Sequence, residues 1–117
     1  MFQSHQWLGY DFAVYPRTST WPTTGGVYIL VRADHPRPPA PLYVGKTESF
    51  ARRFARHEKM LAAMVYGLSH IHLLEVPVEW TRLAIEAELI RTLDPPLNER
   101  QPDGIFQSPL RGIFQKR

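Results

Sequence analysis

No cysteine occurs among the 117 residues, which excludes disulfide frameworks, thiolate metal centres and cysteine nucleophiles and leads to the expectation of a cytoplasmic protein. No stretch approaches the ~18 consecutive apolar residues of a membrane span. Met1 to Tyr15 also lack a basic start followed by an apolar run. Neither a signal peptide nor a membrane partner is therefore expected. A large excess of one charge is missing too. Fourteen Lys and Arg against 11 Asp and Glu give +3 and a pI near 9.5. Attraction to a polyanion then depends on where the basic side chains cluster, not on their total. At this length there is room for one modest core and no separate recognition domain.

What is present reads as a folded chain, with 44% apolar and 12% aromatic residues. Residues 1–23 scatter Phe2, Trp7, Tyr10, Phe12, Tyr15 and Trp21 between Pro16 and Pro22 without a sustained period. They are expected to form an irregular extension packed on the domain. After Gly25-Gly26, the β-branched run Val27-Tyr28-Ile29-Leu30-Val31 predicts a buried strand. Leu42-Tyr43-Val44, ended by Gly45, predicts a second. Between them Pro36, Pro38, Pro39 and Pro41 forbid regular pairing, so the two strands form a long-looped antiparallel hairpin.

Thr47 or Ser49 can cap a helix from Phe50 to about Met64, with Phe50, Phe54, Leu61 and Met64 as its core stripe. Ile71 to Val76 predicts a third strand, stopped by Pro77, and Glu79 to Leu93 a second long helix, stopped by Asp94-Pro95-Pro96. The expected fold class is α+β: a three-stranded antiparallel sheet flanked by helices, in the order β-β-α-β-α. The basic tail 99–117 repeats Gly-Ile-Phe-Gln at 104 and 112, which is too short a copy for a repeat architecture.

Phosphodiester hydrolysis needs a polarised water, positive charge on the non-bridging oxygens and, usually, a metal held by a carboxylate. Arg52, Arg53 and Arg56 lie within about one turn, and His57 follows Arg53 by four residues on the same side. By itself that pattern is most simply a solvated basic face. Glu86 is sharper. A helical wheel sets it between Leu83 and Ile90 on one side and Leu89 and Leu93 on the other, whereas Glu88 projects near Thr81 and Ala84. A carboxylate in an apolar sector needs a cation, which is either a metal or Arg82 one turn earlier. The pattern leaves these two evenly matched. Tyr28 and Tyr43 occupy adjacent strands, and their hydroxyls could reach one volume beside the first helix. Strand tyrosines otherwise simply pack with one wet end. His70 and His72 share a strand face at the spacing of a metal pair, but with no third ligand ordinary strand polarity is the simpler account. His5 and His35 fall in expected loops.

Taken together, these segments resemble the GIY-YIG nuclease family. The first motif reads Gly26-Val27-Tyr28 and the second Tyr43-Val44-Gly45, with valine in place of isoleucine in both. Arg53 follows Tyr43 by the family's ten residues, and His57 stands where many members carry histidine. Glu86, Leu89-Ile90, Pro95 and Asn98 follow the register of the family's metal-binding helix, which Glu88 does not fit. The likeness spans roughly 24–98, with a longer proline-rich connection than is usual.

The resemblance implies a metal-dependent endonuclease that hydrolyses DNA phosphodiesters. Glu86 would hold Mg2+ or Mn2+, Arg53 would neutralise charge on the phosphate, and Tyr28 would position or deprotonate the attacking water. Tyr43, Lys46 and His57 would assist, Arg52 and Arg56 would add phosphate contacts, and Gly26, Gly45 and Asn98 would orient the site. Structured or duplex DNA is the expected partner, and a second protein that supplies specificity is compatible with such an enzyme. DNA repair, mobile-element and restriction roles all suit such an enzyme. Two alternatives are a nucleic-acid-binding module without cleavage and a subunit active only with a partner.

Overall fold

The computed structural model describes residues 3–98. One antiparallel sheet organises them: β1 (Gln3–Trp7), β2 (Tyr10–Pro16), β3 (Gly26–Arg32), β4 (Ala40–Thr47) and β5 (His70–Glu75), in the order β1-β2-β5-β3-β4. Three helices complete the chain: α1 (Phe50–Ala55), α2 (Met60–Val65) and α3 (Glu79–Leu93). The expected β3-β4 hairpin, β5 and α3 are present, and the class is a small α+β domain with an antiparallel sheet.

The expectation of three strands is corrected to five. Residues 3–16, expected to be irregular, form a hairpin whose second strand pairs with β5 from Ala13↔Leu73 to Pro16↔His70. Its turn is Leu8-Gly9, with φ of 52° and 86°. Two left-handed residues are what a tight hairpin with the sheet's twist requires, and glycine supplies the second at no steric cost. The 99–117 tail lies outside the described residues.

The single helix expected from Phe50 to Met64 is also corrected, to two short helices. Arg56 leaves helical geometry at φ −155°, and the His57 ring turns inward and is 9% exposed. The break shifts the phase of the second helix. Ala63 is therefore buried, while Leu61 and Met64, expected in the core, are 74% and 46% exposed. Ser49, not Thr47, is the N-cap, its hydroxyl accepting the Arg52 N–H at 3.2 Å.

Alternation along the strands sends apolar side chains to both faces of the sheet. On one face Val27, Ile29, Val31 and Val44 pack with Trp7 and Phe12 under Ile85 and Leu89 of α3. On the other, Tyr28, Leu30, Leu42, Ile71 and Leu73 pack with Phe50 and Ala63 of the short helices. β3, an interior strand between β5 and β4, is thus buried on both sides, which explains its unbroken apolar run. No described helix is long and apolar enough to cross a membrane.

Candidate active site

Gly26 and Gly45 set the spacing of the site. A Cβ on Gly26 would run into the Leu74 carbonyl of β5, and one on Gly45 would run into the Tyr28 ring and hydroxyl. Gly26 therefore lets β3 and β5 close, and Gly45 leaves the space that Tyr28 fills from the neighbouring strand. Tyr28 and Tyr43 share one face of the sheet, with ring centroids 6.2 Å apart.

The His57 ring meets both tyrosines edge-on, at 5.5 Å from Tyr28 and 5.3 Å from Tyr43. Its Nδ1 accepts the Lys59 backbone N–H at 3.0 Å. In a neutral imidazole the proton then resides on Nε2, which lies 2.7 Å from the Tyr28 hydroxyl oxygen and donates to it. The Arg53 Nε donates to the same oxygen at 3.1 Å. Two N–H groups thus converge on one phenolic oxygen, and the phenol's own proton is left for a third partner.

Burial, followed by the neighbouring Arg53 cation, pushes the His57 pKa down to about 4, so the neutral tautomer holds at neutral pH. Burial likewise raises the Tyr28 pKa, against the lowering pull of the Arg53 hydrogen bond. Resting Tyr28 is therefore a phenol, not a phenolate. The Arg53 cation beside it does not outweigh its burial. Tyr43 is raised in the same way, chiefly by burial, with Arg53 pulling the other way.

Arg53, fixed by Nε, turns its two outer nitrogens to Glu58, with both N–O distances 3.0 Å. That fork holds the Glu58 carboxyl down at about 2. Lys46, on β4, makes an ion pair with Glu79 at 3.0 Å. Arg52 and Arg56 are exposed, with no side-chain ion pair among the described residues.

The alternative cation for Glu86 is removed. Arg82 is committed elsewhere: its Nε donates to the Val76 carbonyl at 2.7 Å, one outer nitrogen to Glu79 and the other to the Pro77 carbonyl, each at 3.0 Å. Glu86 has no ion-pair partner among the described residues. It is half-buried, and burial raises its pKa against the longer-range attraction of Lys46. A carboxylate left without a cation at the edge of the site suits a divalent ion that takes one protein oxygen and fills its remaining positions with water and phosphate oxygens. No three acidic or histidine side chains among the described residues are placed to cage a metal by themselves.

Asn98 joins the site from beyond α3. Its side-chain amide accepts the Val44 N–H and donates to the Val44 carbonyl, both at 2.9 Å, fixing the strand between Tyr43 and Gly45. Three partners had no sequence signal strong enough to find them. Glu58 is one exposed acid beside a histidine. Glu79 bridges Lys46 and Arg82 from the first turn of α3. Glu88, which had no evident role, accepts the Tyr10 hydroxyl at 3.0 Å and ties the hairpin to α3.

His5, expected in a loop, lies in β1. Its ring and that of His72 stand with Trp7 on the α3 face, away from the tyrosines. His72 Nδ1 accepts the Trp7 indole N–H at 2.9 Å, and His70 Nδ1 stands 2.8 Å from the Ser69 hydroxyl.

This arrangement of sheet and helices is the GIY-YIG fold. Solved structures of the GIY-YIG N-terminal endonuclease domain of UvrC from Thermotoga maritima are similar to the chain. The magnesium-bound form aligns at TM-score 0.56 and 24% identity, over 68% of this chain and 88% of that one. Two point mutants of that domain, each bound to its catalytic divalent cation, align over the same shares at TM-scores of 0.57 and 0.55, with 24% and 25% identity. No protein-family model and no curated protein sequence matches the chain.

Proposed function

We propose that the protein is a divalent-metal-dependent endonuclease that hydrolyses phosphodiester bonds in DNA. The observation that carries this reading is Glu86, a half-buried carboxylate with no ion-pair partner among the described residues, set on the helix beside a strand whose Tyr43 faces Arg53 and His57. A module that only bound phosphate would gain nothing from that negative charge. The similarity to a nuclease domain described as bound to its catalytic divalent cation supports the same reading.

Magnesium or manganese held by Glu86 would polarise the scissile phosphate and lower the pKa of a bound water. The chain's own groups account for the rest. The Arg53 fork matches two non-bridging oxygens and would neutralise the charge that grows on them. Tyr28, with its oxygen already accepting from Arg53 and His57, has its proton free to donate to the attacking water or to a phosphate oxygen. His57 holds that phenol in place through the tautomer that the Lys59 amide selects. Tyr43, between Arg53 and Glu86 in the electrostatics of the site, would orient the same water or phosphate. Lys46 contributes positive potential near Glu86, and Arg52 and Arg56 extend the phosphate track along α1.

The test is supercoiled plasmid incubated with the protein and magnesium. Accumulation of nicked circles is expected, as is a loss of at least about 100-fold in Glu86→Gln. Cleavage that survives this substitution would sink the metal assignment. Binding of DNA without any cleavage, on plain, nicked or branched substrates, would overturn the enzyme reading.

A further inference from the structure

Both outer nitrogens of Arg53 are occupied in this structure, each 3.0 Å from one oxygen of Glu58. A phosphodiester presents two non-bridging oxygens to such a fork in the same bidentate manner as a carboxylate. One fork cannot hold both anions. Arg53 has little freedom to turn to a second partner, because its Nε is bound to the hydroxyl of Tyr28, a side chain 1% exposed on the interior strand β3. Glu58 is the movable member. Its side chain is 63% exposed, and it stands in the break between α1 and α2, with no second side-chain partner among the described residues.

We propose that Glu58 is a built-in competitor for the phosphate that Arg53 binds, occupying the fork until a substrate displaces it. The inference rests on reading Arg53 as the phosphate ligand of the nuclease site. Its consequence is selectivity. An isolated phosphate or mononucleotide must displace the carboxylate with one contact. A polynucleotide also meets the exposed Arg52 and Arg56 and gains several contacts for the same displacement. The latch therefore discriminates against small phosphate esters and in favour of long polyanions.

Metal-free binding of fluorescently labelled duplex DNA, read by anisotropy in EDTA, tests this in five proteins: wild type, Glu58→Gln, Glu48→Gln, Arg53→Gln and the double variant Arg53→Gln/Glu58→Gln. Glu48 is an exposed acid that takes no part in the site and controls for removal of one negative charge. Glu58→Gln is expected to bind about three- to fivefold tighter than wild type, the range open to one partly exposed ion pair. Glu48→Gln should stay near wild type, and the double variant should bind no tighter than Arg53→Gln. A gain shared by Glu48→Gln, or one that persists without Arg53, shows a general charge effect and overturns the proposal. So does a Glu58→Gln protein that binds no better than wild type, including the case where neither binds. Failure of the nuclease reading shows up separately, as absence of cleavage by wild type with magnesium, because this series is read without metal or turnover.

Discussion

Two buried histidines sit on opposite faces of the same sheet, and burial depresses both to a pKa of about 4. His57 faces a tyrosine hydroxyl, an arginine and a glutamate, and its break in the helix leaves the cluster open to solvent on one side. His72 faces Trp7 and His5 and is 2% exposed. The two are matched in residue type and titration, and differ in what surrounds them. A perturbed histidine is thus a site marker only when its second partner can also reach a substrate. His57 has such a neighbour in Arg53, a quarter exposed and bound to the same Tyr28 hydroxyl, whereas His72 Nδ1 accepts from an indole that fastens the hairpin.

The largest expected contrast between the faces is in activity. Glu86→Gln should abolish plasmid nicking while leaving the melting temperature unchanged or raised. Its carboxyl pKa is raised by burial, so the charged form opposes folding at neutral pH. Next comes Gly45→Ala, which places a methyl group against the Tyr28 hydroxyl. Thermal denaturation should show a loss of about 1–3 kcal/mol, and cleavage at a temperature where the variant is folded should still fall. On the other face, Trp7→Phe leaves His72 Nδ1 without its donor and should cost about 1–2 kcal/mol. It should leave kcat/KM for DNA cleavage unchanged, and a drop in that ratio would mean that the hairpin shapes the site after all.

The smallest effect is the most diagnostic of the shared chemistry. Between pH about 6.5 and 4 both imidazoles are neutral when folded and protonated when unfolded, so the unfolded chain binds more protons. Their stabilising contribution is complete above pH 6.5, declines as pH falls through that window, and is gone below about 4. Each contributes on the order of 1–3 kcal/mol. His72→Gln keeps an acceptor available for the indole but cannot titrate. Urea denaturation across the window should therefore show a shallower decline in this variant, and an unchanged slope would contradict the assignment.

The elements legible in the sequence were those whose pattern is dictated by burial on both sides or by hard stops. β3 is an unbroken apolar run between glycines, and α3 ends where Asp94 meets Pro95-Pro96. The hairpin was not legible. Its turn puts Leu8, not asparagine or aspartate, in the left-handed region, and its inward-facing row mixes Gln3 and His5 with Trp7, which hides the alternation. The helix break was hidden by Leu61 and Met64, whose spacing continues the stripe that Phe50 and Phe54 begin. Of the residues that the register of motifs singles out, Tyr28, Tyr43, Arg53 and His57 come together in the structure. Glu58 could not be found that way, because whether an exposed acid reaches a given arginine depends on a backbone break that no spacing announces. That Arg82 turns away from Glu86 was not legible either, because its three nitrogens go to the Val76 carbonyl, Glu79 and the Pro77 carbonyl.

β4 carries Tyr43 and Gly45, and it is an edge strand of the sheet. An open edge is a template on which another chain can add a strand and spread into an aggregate. Here the Asn98 amide takes both backbone groups of Val44, and the Leu97 N–H takes the Leu42 carbonyl at 3.0 Å. Two residues thus act as a stub of a sixth strand. They occupy backbone groups at the margin of the sheet that foreign backbone would otherwise use, and they hold in place the strand that carries Tyr43 and Gly45.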